Sequence, residues 1–153
     1  MTLKSSGYLV TPVTVSFSGT QTLDSLADDE WTNLSDEIDN TSNLYTLTDW
    51  EFVLGSAAFT GTDSSLELYI VPTLDGTNYP DWTGNVTTDQ QQNNQYYQRA
   101  ATTTGTTAAQ RIVISRVMLP PGKFKIGLRS RLNITTAGSG NTVKYRPHSY
   151  QDA

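Results

Sequence analysis

The chemistry open to this chain is set by one histidine, fifteen carboxylates and no cysteine in 153 residues. His148 stands in "YRPHSY" close to the end of the sequence, where a lone imidazole reads as a solvated side chain. Without a thiol there is no Cys–His nucleophile, no thiolate zinc site and no disulfide. The sequence contains no G-x-S-x-G elbow, H-E-x-x-H pair, Walker loop or G-x-G-x-x-G turn. Fifteen acids could bring two carboxyl groups together for glycoside hydrolysis, but no local spacing singles out a pair. The residues therefore read as those of a protein that is not an enzyme and takes no cofactor.

Two further patterns could carry binding. Oxygen ligands cluster in "DDEW" (28–31) and "SDEIDN" (35–40), and Asp75 and Asn78 face each other across the "DGTN" turn. Calcium needs six to eight oxygens; without EF-hand spacing these stretches read as solvated acidic loops, and no metal ligand is assigned. The aromatics Trp31, Trp50, Tyr79, Trp82, Tyr96 and Tyr97 could form a stacking platform for sugar rings. Trp50 shares the phase of its strand's core residues, whereas Trp31, Tyr79 and Trp82 fall in loops, where aromatics cover an open end of a fold or an interface. The stretch "ELYIVPTLDGTNYPDW" (67–82) poses the question most sharply. Its two loop aromatics either fold back onto the core or meet something outside.

The elements that must position these residues alternate with period two. "KFKIGLRSRL" (123–132) sets Phe124, Ile126, Leu128 and Leu132 on one face and Lys123, Lys125, Arg129 and Arg131 on the other. "TVKYR" repeats the pattern, with Val143 and Tyr145 inward and Lys144 and Arg146 outward. In "LYTLTDWEFVL", Trp50, Phe52 and Leu54 fall in register with Leu44, opposite Asp49 and Glu51. "VTVSF" turns Val13, Val15 and Phe17 inward. "AQRIVISRVML" is apolar on both faces, which predicts a strand deep in a sheet or at a subunit contact. The helix candidate "LADDEWTNLSDEIDN" is too rich in Thr, Asn and Ser and reads as loop with a turn or two.

About eight strands joined by Gly, Pro and Asn turns predict an all-β fold, a jelly-roll-like antiparallel β-sandwich of two sheets. Residues 1–153 form a single domain with short extended N-terminal and C-terminal segments. No apolar run is long enough to span a bilayer, and the N-terminus lacks a secretory pattern, so a protein made in the cytoplasm is expected. The N-x-S/T matches at Asn33, Asn40, Asn85 and Asn133 read as chance in so Asn- and Thr-rich a chain.

Charge is segregated along the chain. Through Asp89 there are fourteen carboxylates against Lys4, a formal −13; from Gln90 onward nine Lys and Arg face only Asp152, a formal +8. Acidic and basic strands could pair within one jelly roll, or acidic and basic faces could meet between subunits. Nucleic acid is not an expected partner, because the bases alternate with apolar residues on strands; such binding would need Arg129, Arg131, Lys144 and Arg146 unpaired in solvent.

Three stretches carry a resemblance: "ADDEWTNLSDEIDNTSNLY", "DWEFVLGSAAFTGTDSSLELYIVPTLDGTNYPDW" and "LPPGKFKIGLRSRLNITTAGSGNTVKYRPHSY". Together, over about residues 20 to 150, they resemble the jelly-roll cement, or head-decoration, proteins of tailed bacteriophages. The hallmarks are Trp31 before the acidic loop, "YIVPTLDGTNYPDW" and "LPPGKFKIGL". The resemblance implies a virion protein on the outer capsid surface, with the phage major capsid protein as partner. It implies a homotrimer at subunit junctions, bracing the shell against packaged DNA. Trp31, Tyr79, Trp82, Lys123, Lys125, Arg129 and Arg131 are then the candidate interface, and alanine at both Tyr79 and Trp82 should lower capsid occupancy while leaving the fold intact. A neck or tail component is the related alternative. A carbohydrate-binding sandwich, with Trp31, Tyr79 and Trp82 on one exposed surface, is the competing class.

Overall fold

Alternating apolar residues build the long strands of the computed structural model, which describes residues 4–5, 10–59, 64–82 and 94–151. The strands are β1 (Lys4–Ser5), β2 (Val13–Thr14), β3 (Ile38–Asp39), β4 (Leu47–Leu54), β5 (Ser65–Pro72), β6 (Tyr97–Thr102), β7 (Gln110–Met118), β8 (Lys123–Arg131), β9 (Thr142–His148) and β10 (Tyr150–Gln151). A 3-10 turn at Asn94–Tyr96 is the helical piece among them. Asn85 and the glutamine-rich stretch 87–93 lie outside the described residues.

Two four-stranded antiparallel sheets result, in the orders β2-β9-β4-β7 and β3-β8-β5-β6, while β1 pairs with β10. Each sheet interleaves early and late strands, and from β2 to β9 every connection except β5 to β6 passes to the other sheet. This is the jelly-roll arrangement of two Greek keys. The inward faces supply a fully buried core of Trp50, Phe52 and Leu54 from β4, Leu66 and Leu68 from β5, and Phe124, Ile126 and Leu128 from β8. Those positions follow the phase that alternation predicts.

Residues 28–35 run beside β8 as an irregular strand. Thr32 and Ser35 donate their backbone N–H groups to the carbonyls of Leu128 and Ile126 at 2.9 and 2.8 Å. Their side-chain hydroxyls accept from the N–H groups of Leu128 and Ile126 at 3.0 and 2.9 Å. Hydroxyls thus replace the carbonyls a regular strand would offer, which explains why two polar residues are completely buried.

Three expectations change. β7 is not a strand deep in a sheet: it is an edge, with Val113 and Met118 55% and 74% exposed. A bulge opposite Asp49 sets Thr48 against Val117 but Trp50 against Ile114, and Arg116 adopts φ 58° there. The extra residue shifts the alternation by one, so Ile114 and Val117 both point inward, and the linear sequence looks apolar on both faces. Leu44 does not join the phase of Trp50; it is 56% exposed in the turn before β4, at φ 47°. His148 is not solvated. Its pairing opposite Leu47 at the end of β9 buries it.

A candidate interaction face on one sheet

All seven candidate residues meet on one side of the molecule, the outer face of the β3-β8-β5-β6 sheet. Alternation along β8 turns Lys123, Lys125, Arg129 and Arg131 outward, and the loops before β3 and after β5 lay Trp31, Tyr79 and Trp82 over them. Trp31 packs against Tyr69 and Trp82 with ring centroids 4.9 and 5.3 Å away, and Tyr69 lies 5.8 Å from Trp82 and 5.6 Å from Tyr97. The Trp31–Trp82 contact is edge-on, the geometry ring quadrupoles favour. Arg129 sits 5.0 Å from the Trp31 ring centre and Lys125 4.7 Å from that of Tyr79.

Two anchors hold the cover down. The Trp82 indole N–H donates to the Thr32 carbonyl at 2.8 Å, and its ring lies flush on Gly127, where an added Cβ would come 2.0 Å from the ring. The Tyr79 hydroxyl donates to Glu37 at 2.8 Å, and Glu37 also takes Lys123 at 2.7 Å. These two hydrogen bonds hold the Glu37 carboxyl below its ordinary range, that of Lys123 acting most strongly. Burial, and then the bond to Glu37, pushes the Tyr79 phenol up; burial, and then the charge of Glu67, does the same to Tyr69.

The loop aromatics therefore fold back on the sheet. Trp31 is only 4% exposed, so it offers no open ring to a sugar. Trp82 and Tyr79 are half-buried and bonded inward, which corrects the expectation that alanine at both positions leaves the fold intact: Trp82→Ala would uncover Gly127 and the edge of Trp31. Tyr69 and Gly127 complete the face and were not among the expected residues. Each left a signal, Tyr69 in phase with the outward Glu67, and a glycine inside a strand marking close approach by another group.

Most of the cations, though not Lys125, meet carboxylates from the first half of the chain. Arg129 meets Asp29 at 3.1 Å, Arg131 meets Glu67 at 3.3 Å, and on the other sheet Arg146 meets Asp49 at 3.2 Å and Arg111 meets Glu51 at 2.5 Å. Every ion pair among the described residues joins an acid of the first half to a base of the second. Strand interleaving thus pairs Arg111, Lys123, Arg129, Arg131 and Arg146 within one chain; of the four bases a nucleic-acid surface would need unpaired, Arg129, Arg131 and Arg146 meet acids, whereas Lys144 has no ion pair among the described residues.

The acidic loops have internal partners too. Asp28 accepts from the Asn133 N–H at 2.8 Å and Glu30 from the Ala27 N–H at 3.0 Å. Asp75 accepts from the Thr73 hydroxyl, the Thr77 and Asn78 N–H groups and the Asn78 amide at 2.7 to 3.0 Å. Those bonds hold its carboxyl far below the ordinary range and scaffold the turn whose Gly76 takes φ 79°. Among the described residues no group of three or more His, Asp and Glu side chains is placed to hold a metal ion. No protein-family model, curated protein or solved structure matches the chain.

Proposed function

We propose that the chain is a structural virion subunit, a cement protein that binds the outside of a tailed-phage head where major capsid subunits meet and braces the shell there. One observation carries the reading. The stretches on which the resemblance rests, far apart in sequence, converge in space: Trp31, the turn ending at Trp82, and the β8 residues Lys125 and Gly127 form one continuous cover on a jelly roll. A jelly roll alone does not decide function, since capsid, lectin and enzyme domains share it. The aromatic cover adds a second dry layer to one sheet, the kind of stiffening a brace under outward pressure needs. The ion pairs within the chain lower the number of lone charges to desolvate on docking, and shallow contacts repeated over a symmetric lattice add up to firm attachment.

The purified chain should co-sediment with expanded heads lacking it, saturate at a fixed copy number, and scatter light in solution as a homotrimer. It should show no selectivity on a glycan array. Specific glycan binding without head binding would instead establish the carbohydrate-binding class.

A further inference from the structure

Each four-stranded sheet ends in one short edge strand and one long one. β2 and β3 are two residues long, whereas β6 has six residues and β7 nine. A long edge presents unpaired N–H and C=O groups, a template on which a strand of another copy can add. The hazard is greatest on β7, where Ile112, Val113 and Ile114 are consecutive β-branched residues and Val113 is exposed.

Both long edges are broken, at points that one arginine joins. On β7, Ser115 and Arg116 together oppose Asp49, so the strand bulges and Arg116 takes φ 58°. On β6, Arg99 and Tyr97 oppose the consecutive residues Leu68 and Tyr69, which leaves Gln98 as the extra residue. The Arg99 guanidinium, beside the β6 bulge, donates to the Ser115 carbonyl inside the β7 bulge at 3.4 Å. Asp49 seats the β7 bulge from the other side. One of its oxygens accepts the Arg116 N–H at 3.1 Å and the other meets Arg146 at 3.2 Å. An arginine at positive φ is a strained choice where glycine would be at ease, and contacts from β4, β6 and β9 converge to hold it.

A bulge interrupts the ladder and twists the strand away from an incoming neighbour. We infer that the two joined bulges are an edge guard, a device that bends both long edges out of register with any approaching strand and keeps copies of this chain from adding to one another edge to edge. The inference is independent of the cement reading.

Removal of Arg116 is the direct test. It sets Ser115 alone opposite Asp49 and Val117 opposite Thr48, with Ile114 and Val117 still facing the core, so a regular β7 is compatible with the fold. Wild type, this deletion, Arg116→Gly and Arg99→Ala are compared by light scattering over a concentration series, with circular dichroism and melting curves to report folding. Wild type and Arg116→Gly, which keeps the bulge in a conformation glycine favours, should not grow past one mass. The deletion should stay folded and grow into large assemblies as concentration rises, and Arg99→Ala, which unties the bulges, should grow more slowly. A folded deletion variant that holds the wild-type mass would overturn the inference. So would growth of Arg116→Gly to match the deletion, because the guard would then be the charge and not the bulge. If the deletion does not fold, Arg99→Ala decides: growth supports the guard, and an unchanged mass overturns it.

Discussion

The two sheets turn very different faces outward. Over β3-β8-β5-β6 an aromatic layer seals the strand surface, with Trp31 and Tyr69 almost wholly buried. Over β2-β9-β4-β7 the outward residues Asp49, Glu51, Arg111, Lys144 and Arg146 form a charged strip along an open groove of about 490 Å³. Both began as the same pattern, apolar in and charged out. What separates them is a seat: Gly127 leaves room for an indole on β8, whereas β4 and β9 offer long charged side chains at the facing positions. A glycine and three loop aromatics thus turn a solvated face into a second core. Ion pairs alone do not.

The comparison is most easily broken at Trp31. Trp31→Ala should cost about 3–5 kcal/mol in urea unfolding, the range for a buried tryptophan, and comparable stability to wild type would mean that the aromatic layer is not a core. Gly127→Ala should cost about 1–3 kcal/mol by driving Trp82 off its seat, with a red shift in tryptophan emission as the check. A smaller effect is expected at high pH. Unfolded tyrosine ionises near pH 10, while Tyr69 and Tyr79 resist ionisation when folded. The stability these two tyrosines contribute is therefore complete below about pH 10 and falls as pH rises beyond it, and Tyr69→Phe should flatten that fall in a pH series of melts. Smallest is the open strip, where Glu51→Gln, which breaks the exposed pair to Arg111, should cost under about 1 kcal/mol. A larger loss would show that the strip is also a packed layer.

Alternation made most of the architecture legible. The phase of β4, β5 and β8 follows from their apolar residues because both sheets bury one face and a one-residue slip would invert it. The bulge in β7 was not legible, because a local insertion leaves the same composition as a strand buried on both sides. Nor were the Thr32 and Ser35 hydroxyls, whose role depends on a strand about 90 residues away in sequence. The site residues were legible as types but not in posture. Loop aromatics and outward cations were identifiable, yet only the fold shows that they cover one another and that Lys123, Arg129 and Arg131 meet acids from the other half of the chain while Lys125 lies over Tyr79.

The proposed bracing role is tested most directly by heating DNA-filled heads with and without the chain and following DNA release. Heads lacking it should release DNA at a lower temperature, and adding back the purified chain should restore the higher one. Identical release temperatures at full occupancy would contradict the account.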